Sequence, residues 1–313
     1  MLTSILLLAL GIALLYWGGE VLVTNAIRLA VAFGVTPMVI GLTVVAFATS
    51  APELAATLTA AFRGVPDIAI GNVLGSNVAN LALILASSAL FYPLVVEARF
   101  LRREVAFMIF VSVLLYPVML TDLQVGRVEG TLFFVLLLFF IRTLLKDPDN
   151  AAPPELEDED LSEPPPVWRS SLGVALGVGL LVGGAQALVI GASDIAISLG
   201  VPERVVGLSV VAFGTSLPEL AASIAAARQK QGDLVLGNIV GSNIFNILCI
   251  LGLTPIVHPI AVNPTVLVLD FWVMLGVSVL LALMLFNGRK LVRWEGAFLL
   301  AIYFGYMGYL FVQ

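Results

Sequence analysis

The most constraining feature of this sequence is a 40-residue segment that occurs twice. Residues 41–80 read GLTVVAFATSAPELAATLTAAFRGVPDIAIGNVLGSNVAN, and residues 207–246 read GLSVVAFGTSLPELAASIAAARQKQGDLVLGNIVGSNIFN. The copies align without a gap at an offset of 166 residues and share 22 identical positions. Each copy carries one glutamate, Glu53 or Glu219, in strongly apolar sequence. Because an ionisable residue inside a membrane is costly and usually functional, the repeat predicts a paired intramembrane site.

The amino-acid composition predicts a membrane protein. Of the 313 residues, 60% are hydrophobic, and the mean hydropathy is +1.08. Runs of about 20 apolar residues are long enough to cross the hydrocarbon layer of a bilayer. Ten such spans are predicted, at residues 2–23, 37–62, 68–90, 104–120, 128–145, 172–199, 205–227, 234–257, 266–286 and 294–311. The expected fold class is an all-α polytopic membrane protein with ten transmembrane helices.

The positive charges divide unevenly between the two sides that these spans define. Twelve of the fifteen Lys and Arg residues fall on one side, among them Arg228, and three fall on the other, among them Arg63. The positive-inside rule assigns the richer side to the cytoplasm. We therefore expect a multi-pass protein of the cell membrane with both termini outside.

Five spans surround each copy of the repeat, which predicts three regions. Residues 1–145 form the first half with the repeat 41–80, residues 146–169 form a linker, and residues 170–313 form the second half with the repeat 207–246. Because five is an odd number, the second half enters the membrane in the opposite sense. The two five-helix repeats are then inverted, as in many secondary transporters whose binding site lies at mid-membrane between the repeats.

The linker is acidic and rich in proline. Residues 146–166 read KDPDNAAPPELEDEDLSEPPP. Such sequence buries too little apolar surface to fold alone, so we expect a solvated cytoplasmic connection. A calcium-sensing role for its acidic residues is the alternative, although the segment lacks the glycine-centred loop of a formed calcium site.

The first span of each half contains a pair of glycines. These are Gly18 with Gly19 and Gly183 with Gly184. Small residues let helices approach closely, which suits either sliding helices or static packing. The neighbouring Glu20 is expected at a span end, in a helix-end or interfacial role.

The polar residues of the repeat are spaced to share helix faces. Thr49 and Glu53 are four residues apart, and so are Ser76 and Asn80. Residues at this spacing lie on one face of a helix. The second copy repeats the spacing with Thr215 and Glu219 and with Ser242 and Asn246. Together the four helices would present carboxylate, hydroxyl and amide oxygens to one another.

A proline lies beside each glutamate. Pro52 and Pro218 lack the amide hydrogen that would bond to the carbonyl four residues earlier, so each is expected to kink its helix. The kinks would free carbonyl groups near residues 46–48 and 212–214. Backbone oxygens are therefore expected beside the side-chain oxygens.

A site made only of oxygens, without Cys or His, indicates a hard cation. Calcium accepts six to eight oxygen ligands in flexible geometry, whereas magnesium gives up its water reluctantly. Two glutamates neutralise one Ca²⁺, and the same carboxylates can hold sodium ions or protons on the return step. Competition for them would enforce exchange. The expected partners are Ca²⁺, monovalent cations and the lipid bilayer, with no cofactor and no nucleic acid.

Two other classes of protein compete with an antiporter. A cation channel usually builds its selectivity filter from a ring of identical subunits, whereas this chain has an internal duplication. An intramembrane enzyme would need two carboxylates in unlike surroundings, and the sequences flanking Glu53 and Glu219 are nearly identical. Neither an enzyme nor a channel is favoured.

These motifs resemble the alpha-1 and alpha-2 repeats of the cation/calcium exchanger superfamily, in particular its prokaryotic sodium/calcium exchanger-like members. The matching runs are AFATSAPEL with GNVLGSNVAN and AFGTSLPEL with GNIVGSNIFN. The resemblance implies that Glu53 and Glu219 are the central ligands shared by calcium and sodium, and that the glycine-rich spans form a sliding gate. It implies further lining of the ion sites by Thr49, Thr215, Ser50, Ser216, Ser76 and Ser242 and by the backbones of Ala46 and Ala212.

One position departs from part of this superfamily. Several sodium/calcium exchangers carry Asp at the end of the second G-S-N run, where this chain has Asn246, matching Asn80 in the first run. The site then holds two formal charges and not three. The sequence favours an antiporter that exports Ca²⁺ in exchange for Na⁺, with a proton/calcium exchanger using the same site as the alternative.

Overall fold

Helices dominate the described part of the chain. The computed structural model describes residues 2–147, 150, 166–201 and 212–312. The helices are α1 (Leu2–Phe33), α2 (Pro37–Thr49), α3 (Ala51–Phe62), α4 (Pro66–Phe91), α5 (Ala98–Asp122), α6 (Arg127–Lys146), α7 (Val167–Ser198), α8 (Ala212–Thr215), α9 (Leu217–Arg228), α10 (Gly232–Val257), α11 (Pro264–Gly288) and α12 (Arg293–Val312). Seven of them, and an eighth span if α2 and α3 are counted as one bent pair, are long and apolar enough to cross a membrane.

Several boundaries differ from the prediction. The first span was expected to end at residue 23, but α1 continues to Phe33, where Gly34 takes a positive φ of 66° and ends it. The bonds from Val35 N to Ala30 O and from Gly34 N to Val31 O form the usual glycine cap. Sequence periodicity does not show where a long apolar helix leaves the bilayer, so the end depended on this glycine.

The segment between helices α6 and α7 is shorter than the predicted linker of residues 146–169. Lys146 is the last residue of α6, and α7 begins at Val167. Residues 148–149 and 151–165, which include the acidic cluster, lie outside the described residues. The start of the predicted seventh span and residues 207–211 of the second repeat also lie outside them.

Four short strands join the two halves of the chain. They are β1 (Leu94–Val95), β2 (Gln124–Val125), β3 (Ile260–Ala261) and β4 (Lys290–Leu291). Strand β1 pairs with β4 and β2 pairs with β3, both antiparallel. At the offset of 166 residues β1 corresponds to β3 and β2 to β4, so each strand pairs with the counterpart of its neighbour in the chain.

The two helices that carry the G-N-x-x-G-S-N runs form the centre of the molecule. The most apolar window of α10 is 100% buried and that of α4 is 78% buried. Two glycines let α10 pack against the backbone of α2, because a Cβ at Gly237 would lie 2.5 Å from the Met38 carbonyl and one at Gly241 would lie 2.8 Å from Leu42. Their counterparts Gly71 and Gly75 have no such contact within the described residues.

Helices α1 and α7 cross each other in backbone contact. A Cβ at Gly18 would lie 2.9 Å from the Leu181 amide, and one at Gly184 would lie 2.9 Å from the Leu15 amide. A Cβ at Gly183 would meet no atom of the described residues within 4 Å, and Gly19 faces α9 instead. One glycine of each pair, Gly18 or Gly184, therefore lies at the crossing of the two helices.

Candidate functional site

Each T-S-x-P-E run interrupts its helix in the membrane interior. Ser50 leaves the helical conformation, with φ −82° and ψ 4°, and α2 meets α3 at 42°. Ser216 does the same between α8 and α9, with φ −89° and ψ 4°. Thr49 ends one helix and Glu53 lies in the first turn of the next, so the kink expected near Pro52 takes the form of a break at Ser50. Pro52 and Pro218 are the second residues of the new helices, a position in the first turn where a missing amide hydrogen costs no helical bond.

The breaks let the two repeats exchange hydrogen bonds. The Ser50 hydroxyl donates to Glu219 Oε1 at 3.3 Å, and the Ser216 hydroxyl donates to Glu53 Oε1 at 3.2 Å. Both glutamates are 1% exposed. We call these two bonds the crossed pair. They bring the two carboxylates together, so that each feels the charge of the other.

Several buried oxygens of the repeats find no hydrogen-bond partner among the described residues. They are Glu53 Oε2, Glu219 Oε2, Ser242 Oγ, Asn80 Oδ1 and Asn246 Oδ1. Buried polar atoms are normally satisfied, so unpartnered ones require an explanation. A cation fits, because it would bind carboxylate, hydroxyl and amide oxygens at once. Ser76 is also buried on α4.

The backbone oxygens differ between the repeats. The Ala46 carbonyl accepts the Ser50 amide at 3.0 Å and the Thr49 hydroxyl at 3.5 Å, so it is not freed as expected. In the second repeat the Ser216 amide donates to Phe213 O at 3.2 Å instead. Ala212 begins α8, and its side chain is outside the described residues.

A layer of amides behind the glutamates was not predicted. Asn72 donates to the Glu53 carbonyl at 3.1 Å and to the Thr57 hydroxyl at 2.9 Å. At the equivalent positions Asn238 donates to the Ser223 hydroxyl at 3.1 Å, and it accepts from Thr49. These asparagines are the first Asn of each G-N-x-x-G-S-N run. Their place in a repeated motif was the only signal, since spacing shows nothing about contacts between helices.

The second asparagine layer joins α4 to α10. Asn246 donates to Asn77 Oδ1 at 2.9 Å, and Asn77 donates to Asn243 O at 3.5 Å. Asn80 and Asn246 each begin a π-helical segment, Asn80–Leu85 and Asn246–Ile250. Such π segments are frequent at functional sites, and here they widen the helix at two of the expected ion-binding residues.

A cavity of about 480 Å³ lies beside the crossed pair, between α3, α7, α8 and α9. Its lining includes Pro52, Thr215 and Pro218 from the two T-S-x-P-E runs, and Gln186 from α7. Because Thr215 both lines the cavity and interacts with Glu53, the cavity leads to the candidate site. Among the described residues no group of three or more His, Cys, Asp or Glu side chains could hold a metal ion.

Comparison with known proteins agrees with the motifs. A family model described as "Sodium/calcium exchanger protein" matches residues 3–146 and again residues 169–312. This chain belongs to the sodium/calcium exchanger family. The exchanger is 39% identical to CaxA of Alkalimonas amylolytica over 99% of each chain, and 34% identical to the sodium/calcium exchanger MaX1 of Methanosarcina acetivorans over 98% of each chain. The family resemblance expected from the repeats is confirmed.

A solved structure shares the fold of the exchanger. The sodium-calcium exchanger NCX_Mj, soaked with zero Na⁺ and Ca²⁺, superposes with a TM-score of 0.85 at 30% identity, covering 99% of each chain. With its apolar helices and these relatives, the exchanger is a multi-pass membrane protein and a transporter rather than an enzyme.

Proposed function

We propose that the exchanger exports Ca²⁺ in exchange for Na⁺ and that Glu53 and Glu219 bind both ions in turn. The crossed pair is the observation that carries this proposal. In it two buried carboxylates each accept a hydroxyl of the other repeat, and each keeps one oxygen for which the described residues supply no hydrogen-bond partner. Two buried negative charges are costly in a low dielectric unless a cation compensates them. The site would therefore cross the membrane barrier only when it is loaded, which makes transport an exchange.

Ten membrane crossings in two inverted five-helix repeats are part of the proposal. The bounds of α3, α4, α5 and α6 recur as those of α9, α10, α11 and α12 at an offset of 166 residues. Strand pairing supports the inversion. Helix α5 separates β1 from β2 by 25 residues, so the β1–β4 and β2–β3 pairs lie at opposite ends of the bundle, and equivalent strands lie in different pairs. The regions 1–145, 146–169 and 170–313 follow from this division.

The proposed mechanism is alternating access. Charge counting puts Arg228 and the linker in the cytoplasm and Arg63 outside. In this structure the cavity lies towards the Arg63 side, since Ala55 of α3 lines both it and a neighbouring groove that includes Arg63. The described conformation would then receive ions from outside.

The proposal also names the coupling ion that is exchanged for Ca²⁺. Serines and threonines surround the glutamates, and their hydroxyls suit sodium, which needs several neutral oxygens besides a carboxylate. Protons are the alternative, because each glutamate already has a hydroxyl partner and a protonated carboxyl would donate to a further oxygen. With Asn246 neutral, the site offers two charges to either ion.

The test is calcium uptake into sealed liposomes that contain the purified exchanger. We expect an outward sodium gradient to drive uptake of radioactive calcium and an outward proton gradient to leave it near background. Glu53→Gln and Glu219→Gln should each reduce sodium-driven uptake about 100-fold or more, because one remaining carboxylate would leave half of the Ca²⁺ charge uncompensated in a buried site.

The control is Glu97→Gln, which removes a carboxylate at an exposed position outside the site. It should transport like the parent. Uptake that only protons drive would replace sodium with the alternative ion, and full exchange by either glutamate variant would disprove the assignment of the site.

A further inference from the structure

The glycine-rich helix α1 packs against α9, whereas its counterpart α7 makes little contact with α3, the counterpart of α9. Helix α1 packs extensively on α9, and a Cβ at Gly19 would lie 2.9 Å from Ala221 O. At the offset of 166 residues Gly19 corresponds to Ala185 and Ala221 to Ala55. Those counterparts line the cavity, where α7 makes little contact with α3. The side of Arg228 is therefore closed, and the side of Arg63 is open.

A polar cluster joins α1 to the end of α9 on the closed side. Glu20 Oε2 accepts the Gln229 side-chain amide at 2.7 Å, and Glu20 Oε1 lies 3.7 Å from an Arg228 nitrogen. Arg228 donates to the Tyr16 hydroxyl at 3.2 Å, and its guanidinium lies 4.9 Å from the centre of the Tyr16 ring. We call Tyr16, Glu20, Arg228 and Gln229 the latch. Glu20 lies within α1, which excludes the helix-end role and leaves the interfacial role that was expected beside it.

The open side has no equivalent set of residues. Tyr16 corresponds to Val182 and Glu20 to Gln186, both in the cavity lining, whereas Arg228 corresponds to Phe62 and Gln229 to Arg63. If α7 closed on α3 as α1 closes on α9, the contact would offer one neutral amide and one arginine. It would have neither a carboxylate nor an aromatic ring beneath a cation. The two sides of the exchanger therefore differ in charge, because the ion pair of the polar cluster has no counterpart among the equivalent residues on the Arg63 side.

We propose that the latch biases the exchanger towards the state in which the Arg228 side is closed and the Arg63 side is open. The latch contacts exist only when α1 lies on α9, so they stabilise that state and not its mirror image. A contact shifts an equilibrium between two conformations only if it is stronger in one of them than in the other. This inference rests on the proposed alternating access, and it adds which side the resting protein presents to ions.

The latch is expected to act moderately. Glu20 and Arg228 are 33% and 44% exposed, so water screens their attraction. An exposed ion pair together with one cation–π contact changes an equilibrium by about three- to tenfold. Such a shift changes the population of the minor state without abolishing the fold.

The experiment measures maleimide labelling of single cysteines in detergent, in a Cys249→Ala background. Ala55→Cys lines the open cavity and should react quickly, whereas Ala221→Cys lies under Gly19 and should react slowly. Glu20→Gln and Arg228→Gln should each increase the labelling rate of Ala221→Cys about three- to tenfold, because they populate the state in which α1 leaves α9. Gln186→Glu should also increase it, by giving Arg63 a carboxylate on the opposite side.

Lys230→Gln is the matched control, since it removes a positive charge from the same turn but not from the latch. It should leave both labelling rates unchanged, and an unchanged thermal midpoint in each variant would exclude general loosening. Unaltered Ala221→Cys labelling in Glu20→Gln, Arg228→Gln and Gln186→Glu would overturn the proposal. Labelling needs no transport, so a protein that fails to exchange calcium but shows these shifts would disprove the proposed function and leave the latch.

Discussion

At the scale of single residues, Asn246 distinguishes this site from one with three carboxylates. Its amide nitrogen donates to Asn77 Oδ1 at 2.9 Å, while its own oxygen has no partner in the described part of the chain. An aspartate there could not donate, and it would face the Asn77 oxygen until that side chain turned. The neutral side chain thus joins α4 to α10, and in the proposed site it would offer its oxygen to an ion.

Asn246→Asp should therefore change how sodium is bound. A third negative charge in the site attracts more cation charge, so we expect the sodium dependence of calcium uptake to become steeper and the apparent sodium affinity to rise about threefold or more. The measurement is uptake at graded sodium gradients in liposomes.

Asn246→Ser separates charge from hydrogen bonding. It should lower stability by about 1–3 kcal/mol through the lost bond, without a steeper sodium dependence. Identical sodium curves for Asn246→Asp and the parent would contradict the expectation.

At the scale of helices, the crossing of α1 and α7 depends on glycines that touch backbone. Both helices are 32 residues long, more than a bilayer needs, so they must tilt across the bundle. Gly184 lies against Leu15 and against the Gly11 carbonyl, where a side chain has no room. The adjacent Gly183 faces open space within the described residues.

Gly184→Ala should therefore be destabilising, whereas Gly183→Ala should not. The added methyl group would lie about 2.9 Å from Leu14 and Leu15 atoms, and overpacking of this kind costs about 1–3 kcal/mol. We expect a lower thermal midpoint in detergent and slower exchange for Gly184→Ala. Equal midpoints for the two alanine variants would show that the crossing is looser than the structure indicates.

At the scale of the whole molecule, the 166-residue offset relates positions that the proposed inversion would place on opposite faces of the membrane. Asp122 ends α5, and its counterpart Gly288 ends α11. The residues that follow them, Leu123 and Arg289, both have a φ of 50°. The same local structure is thus repeated in two places, and the inverted arrangement predicts opposite environments for it.

Asp122→Cys and Gly288→Cys, each in a Cys249→Ala background, should differ in labelling by an impermeant maleimide added to intact cells. We expect reaction of the cysteine at position 122, on the outside, and none at position 288 until the membrane is opened. The physical reason is the excess of positive charge on the Gly288 side. Labelling of both cysteines in intact cells would rule out inversion.

The sequence by itself determined the class, the family and the repeat. Membrane character follows from composition, because apolar runs of this length have no soluble alternative. The T-S-x-P-E and G-N-x-x-G-S-N runs identified the family and led us to Glu53 and Glu219, since a repeated ionisable residue in apolar sequence is too costly without a role. These inferences use local chemistry and self-similarity, which need no knowledge of distant contacts.

Only the tertiary structure decided which groups meet. The crossed pair joins residues 169 and 163 positions apart, the asparagine layers were not predicted, and the break at Ser50 replaced the single kinked helix that Pro52 suggested. The latch is the clearest case, because the repeats are nearly symmetrical in sequence while only one side is closed. Which of two similar packings a chain adopts depends on small differences in contact energy between distant helices. Local pattern does not encode those differences, so the closed side could be seen only in the folded molecule.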